Sequence, residues 1–163
     1  MKKLFCLITA LLFFATLTAC NNEEELPPSP TFEIIAVESP AELNQRGADY
    51  FHGYGVEQSD ELAVYWYRQA AEMGYALAQD NLGWMYGTGT GVPRDDEQAV
   101  YWFRQAAEQG FANAQNNLGM LYQRGIGVEQ DYEQAIHWFK QAGAQGHEAA
   151  RESLRLLLQQ QAD

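Results

Sequence analysis

Cysteine is nearly absent from this chain. Cys6 and Cys20 are the only two in 163 residues, and both lie in the first twenty. That excludes a disulfide scaffold, which needs several paired cysteines. Basic residues are scarce as well, with 10 Lys+Arg against 22 Asp+Glu and a net charge of −12. A chain so acidic lacks the basic surface that binds nucleic acid. No apolar run reaches the roughly 20 residues that span a bilayer as a helix. No HExxH and no G-x-S-x-G occurs, so the usual zinc-protease and serine-hydrolase signatures are missing. The three histidines, His52, His137 and His147, show no paired spacing that suits a metal. Proline is sparse, and four of the five crowd into one stretch: Pro27, Pro28, Pro30 and Pro40.

What is present begins with an address. Lys2 and Lys3 precede an apolar run from Leu4 to Ala15, and Leu17-Thr18-Ala19-Cys20 closes it with small residues. This is the three-part form of a secretory signal peptide. Residues 20–40 then read as a tether, because Glu23-Glu24-Glu25 repel one another and the prolines stiffen the chain. About twenty such residues, at about 3.1 Å each, reach roughly 60 Å when extended. Phe32 to Val37 is apolar and β-prone, and is expected to pack on the domain that follows.

From Arg46 the chain repeats with a period of 36. Arg46, Leu82, Leu118 and Leu154 mark the same position, and three units align without a gap. A fixed period of this size marks a solenoid, in which each unit buries its apolar face on its neighbours. Asp60, Asp96 and Asp131 stand where helix starts are expected, as caps for free N–H groups. Ala63, Trp66 and Ala70, with their counterparts one and two periods on, read as a buried helical face that makes Trp66, Trp102 and Trp138 core. Gly74, Gly110 and Gly146 would end each helix in the left-handed region. The runs Gly53 to Val56, Gly89 to Val92 and Gly125 to Val128 are the turns between two helices of a pair. The glycines of 87–91 superficially suggest a phosphate loop. No strand precedes them and no Lys-Ser/Thr follows, so a turn explains them. Asp95-Asp96-Glu97 is likewise explained as a helix start rather than a cation site.

Two resemblances emerge. Residues 17–20 resemble the lipobox of bacterial lipoproteins. That implies cleavage before Cys20 and lipid on its sulfur and amino group, as a membrane anchor. Residues 1–19 are then the signal and 20–40 the lipid-anchored linker. Loss of Lys2 and Lys3 takes the charge from −12 to −14. Asn21 after the Cys implies sorting to the outer membrane, with the domain facing the periplasm. The pattern LGxxYxxGxGVxxxxExAxxWFxQAxxxG, intact in units two and three, resembles the Sel-one-like repeat, a relative of the tetratricopeptide repeat. It covers most of residues 41–160. The resemblance implies an all-α, right-handed solenoid of three helix-turn-helix repeats, closed by a capping helix from His147 to about Gln160.

The same resemblance places a partner-binding groove on the first helix of each pair. Its residues would be Asn44, Asp80 and Asn116 as a polar ladder with Glu152 at the fourth place, then Ala48, Trp84, Met120 and Leu156, and further along Phe51, His52, Thr88, Gln123 and Arg124. Asn side chains both donate and accept, which suits an extended peptide. Trp84 stands out because its counterparts are Ala48 and Met120, so the repeat does not require it. The implied function is non-catalytic protein binding in the envelope, as a scaffold or adaptor, with no cofactor and no metal. An alternative carried by the family is an immunity protein that neutralises a toxic enzyme, such as a type VI phospholipase effector. The acidity points to a basic partner. Cysteine-rich members are linked to β-lactams, but their paired cysteines are absent here.

Overall fold

The computed structural model describes residues 38–161. The signal segment, Cys20, most of the tether and the apolar Phe32 to Val37 lie outside the described residues. Seven helices of thirteen residues each follow in order among the described residues. They are α1 (Pro40–His52), α2 (Asp60–Glu72), α3 (Ala76–Thr88), α4 (Asp96–Glu108), α5 (Ala112–Arg124), α6 (Tyr132–Ala144) and α7 (Glu148–Gln160). Each helix packs on the next in sequence, giving the pairs α1–α2, α3–α4 and α5–α6. None of the described helices is long and apolar enough to cross a membrane.

Local chemistry sets the helix ends. Ser39 caps α1 in a reciprocal box with Glu42, and Pro40 occupies the first turn, where its missing N–H costs nothing. Hydrogen bonds from the Ser39 N–H and hydroxyl hold the Glu42 carboxyl below its ordinary range. Ser59, Asp95 and Asp131 accept from the N–H three residues on and cap α2, α4 and α6. The cap in units one and two is therefore one residue earlier than Asp60 and Asp96, which sit inside the first turn. A cap of this kind contributes about 1 kcal/mol. Gly74, Gly110 and Gly146, at φ +85°, +88° and +92°, turn the chain back toward the following helix.

Two contacts join the helices. Within a pair, Gly47, Gly83 and Gly119 lie against the rings of Tyr67, Phe103 and Phe139. A Cβ at these glycines would sit 2.7, 2.9 and 2.7 Å from ring carbons. Between pairs, small residues allow close approach: Ala63, Ala70 and Ala78 are fully buried together with Leu82, and the pattern recurs one unit on. The buried aromatics are thus Tyr67, Phe103 and Phe139, not the tryptophans beside them. Trp66, Trp102 and Trp138 are half-buried, and their Nε1 atoms are enclosed without a hydrogen-bond partner among the described residues.

Polar side chains repeat the same stitch. Gln79 and Gln115 donate to the carbonyls of Ala71 and Ala107, both at 3.1 Å, and accept from Gln109 and Gln145. Arg68 and Arg104 donate to the hydroxyls of Tyr86 and Tyr122. At the next unit Arg151 replaces Gln, and its Nε reaches the Gly143 carbonyl at 2.8 Å. Gly143 stands where Ala71 and Ala107 stand, and a Cβ there would meet the Arg151 side chain at 3.1 Å. The bulkier arginine therefore accounts for the loss of the methyl group.

The two ends differ from the middle. On α1, Glu42, Arg46 and Asp49 take the places of Ala78, Leu82 and Met85, which are buried on α3. Three charged side chains on that edge oppose the stacking of another helix. Arg46 instead lies over Trp66, 4.5 Å from the ring centroid, and pairs with Glu38. On α7, Arg155 takes the place of Gly83 and Gly119 and pairs with Glu152. No second helix could approach at that position as closely as Phe103 or Phe139 does.

Candidate functional site

The first helices α1, α3 and α5 are joined side by side through their polar residues. Asn81 Nδ2 donates to Asn44 Oδ1 at 3.1 Å, and Asn117 Nδ2 donates to Asp80 Oδ1 at 3.1 Å. Each bond links a unit to the next. Asn44, Asp80 and Asn116 are accordingly only 8%, 9% and 8% exposed. The expected open polar ladder is therefore mostly enclosed, because two of its three members are engaged by the following asparagine. The recurring pairs Asp80-Asn81 and Asn116-Asn117 carried that signal in the sequence. Asn116 Oδ1 is buried with no partner among the described residues. Ser153 stands there in place of a donating asparagine, and its shorter side chain makes no such bond.

Asp80 bears a carboxyl where α1 and α5 carry asparagine, and Glu152 takes the same position on the closing helix α7. Burial pushes it up to about 6, and the hydrogen bond from Asn117 opposes this only in part. No lysine or arginine pairs with it among the described residues. One helical turn further on, Trp84 is 45% exposed, as its departure from the repeat led us to expect. Its ring meets Phe51 of α1 edge-on, with centroids 5.7 Å apart. Phe51 in turn touches His52, which stacks on the 65% exposed Tyr54. A narrow cleft lies between Phe51, Tyr67, Asn81, Trp84 and Met85.

The other expected groove residues are less closely joined. Met120 is half-buried and packs on the core beneath α6 and α7. Gln123 is half-buried and its carbonyl accepts from Gln130, while Arg124 is exposed at the end of α5. No hydrogen bond or ring contact among the described residues ties these three to Trp84. The site is thus centred on α1 and α3, where Phe51 stands beside Trp84 as the groove assignment expects, and Asn81 is its unanticipated member. Among the described residues no three His, Cys, Asp or Glu come together as metal ligands.

The Sel1 repeat model matches residues 44–75, 76–111 and 112–147. A Sel1 repeat protein from Oxalobacter formigenes is similar in structure, with a TM-score of 0.70 and 42% identity over 72% of this chain and 48% of its own. A protective antigen, c5321, of uropathogenic Escherichia coli strains is also similar, at TM-score 0.67 and 41% identity. That match covers 68% of this chain and 24% of the antigen. This chain thus spans about half the length of the first relative and about a quarter of the second. Cysteine-rich protein B of Helicobacter pylori shares the fold at TM-score 0.60 and 20% identity, over 69% of this chain and 88% of its own. No curated protein matches the chain.

Proposed function

The chain belongs to the Sel1 repeat family, and from that premise we propose that it is a non-catalytic protein-binding module held at a bacterial envelope. Sel1 repeats generally mediate protein binding, and fold alone does not name the partner. The face of the first helices around Trp84 takes that partner, and the module acts as a scaffold or adaptor. The observation that carries this reading is the placement of Trp84. A large ring stands half-exposed at a position where the other units have Ala48, Met120 and Leu156. Packing within the repeat does not require it, and exposed tryptophans are common anchors of interfaces.

Crosslinking the full chain in its native envelope, followed by mass spectrometry, tests the reading. Trp84→Ala should lower partner capture at least tenfold while helicity is unchanged. Undiminished capture would move the binding face elsewhere. One dominant stoichiometric partner that is a toxic enzyme would replace the scaffold reading with that of an immunity protein.

The anchor is part of the same proposal. Lipid on Cys20 would hold the domain at the periplasmic side of the outer membrane, at the end of a Pro- and Glu-rich tether. Cys20→Ser should abolish incorporation of labelled palmitate and move the protein from the membrane fraction to the soluble periplasm. A wild-type chain that takes up no palmitate would refute the anchor.

A further inference from the structure

The three first helices carry one position that is Asn44, Asp80 and Asn116 in turn. Asn44 and Asp80 make the same bond, each accepting from an asparagine of the next unit at 3.1 Å. An amide oxygen therefore serves the inter-repeat contact as well as a carboxylate does. The carboxylate is also the costlier choice, because a charge only 9% exposed loses most of its hydration. No cation of the described residues compensates it. Its second oxygen makes no hydrogen bond there, and it is not among the fully enclosed unpartnered atoms. One oxygen thus remains open to an incoming donor.

Unit two departs from the other units at a second place on the same helix. Trp84 lies four residues beyond Asp80, so both side chains rise from one face about 5–6 Å apart at Cβ. Phe51 stands perpendicular to the indole and leaves it 45% exposed. A carboxylate oxygen and an aromatic ring at this separation are complementary to one planar cation. Guanidinium is attracted to a ring face within about 6 Å of its centroid, and this protein already places Arg46 over Trp66 at 4.5 Å.

Building on the binding-module reading, we infer that Asp80 and Trp84 form a socket for one arginine side chain of the partner. The guanidinium stacks on Trp84 and donates to the free oxygen of Asp80, while Asn117 keeps the other oxygen. Arginine fits better than lysine because its flat, weakly hydrated head can stack and donate at once. The chain's net charge of −12 steers such a partner toward it.

The test uses the full chain and N-acetyl-arginine methylamide as the probe, followed by the indole N–H resonance of Trp84. We expect a saturable shift in the millimolar range, at least threefold weaker binding of the lysine analogue, and none of the uncharged citrulline analogue. Asp80→Asn should abolish the arginine response, and because it keeps the bond to Asn117 it leaves the fold intact. Equal shifts from arginine and citrulline, or an undiminished response in Asp80→Asn, would overturn the socket. The crosslinked partner separates this from the wider reading. Capture that survives Asp80→Asn but not Trp84→Ala removes the socket and leaves the binding module standing. Capture that survives both removes the binding face as well.

Discussion

Gly127→Ala should destabilise the protein by about 3 kcal/mol or more, while the equivalent Gly55→Ala should cost only about 1 to 2 kcal/mol. Gly55, Gly91 and Gly127 occupy one repeat position and share a left-handed backbone, at φ +72°, +65° and +65°. Any L-residue there carries the same conformational cost, about 1–2 kcal/mol. The surroundings differ. A Cβ on Gly127 would lie 2.2 Å from the Asp96 carbonyl oxygen, and one on Gly91 would lie 2.3 Å from that of Asp60. Both are backbone atoms of the preceding unit's second helix, so the clash is relieved only by moving one unit off the other. At Gly55 nothing lies within 4 Å, because no unit precedes it among the described residues. Overpacking adds about 1–3 kcal/mol to the strain at Gly127. Urea denaturation followed by circular dichroism gives the comparison. Equal losses at Gly55 and Gly127 would show that the junction between units yields freely, contrary to the packing described.

Asp80→Asn should stabilise the protein at neutral pH by about 2 to 3 kcal/mol. The Asp80 carboxyl is raised from its ordinary 3.8 to about 6, mainly by burial. A raised carboxyl means that the folded chain binds this proton more tightly than the unfolded chain does. The stability it contributes is fully present below pH 3.8 and is lost as pH rises to about 6. Above that the buried charge imposes its full cost, about 1.36 kcal/mol for each pH unit of displacement. Asparagine at 80 reproduces the arrangement at Asn44, with the bond from Asn117 kept and the charge removed. Its advantage should shrink from pH 7 toward pH 4, where the two proteins converge. Denaturant titrations at several pH values across that window read this directly. No gain at pH 7 would mean that water reaches the carboxylate well enough to hydrate it. A gain in stability together with a loss of arginine binding would mark Asp80 as a residue kept for recognition at the expense of stability.

Much of the architecture follows from residues that recur. The 36-residue period, the paired helices, the left-handed glycines and the final helix after His147 are all visible in the chain, and all are present in the structure. Arg46 stands where the later units have leucine, and the structure adds Glu42 and Asp49 on the same edge. Helix caps were less readily placed. Asp60 and Asp96 look like caps by type, but Ser59 and Asp95 hold the hydrogen bonds, because the position is set by backbone geometry one residue earlier.

The site shows the sharper division. Adjacent aromatics such as Trp102-Phe103 both fall near the buried face of a helix, and periodicity alone does not rank them. Gly83 decides the matter, since it is the ring of Phe103 that lies against it across the pair. Trp84 was recognisable as exposed because a residue that varies among units is not part of the shared packing. Asn44 and Asp80 were expected in the open because the family resemblance places them along a groove, and became enclosed through bonds to residues 37 positions away. Which residues are equivalent is legible along the chain, since equivalence is a matter of period and local geometry. Which of those equivalent side chains is buried, bonded or free emerges only when the units stack, because that depends on what the neighbouring unit presents to it.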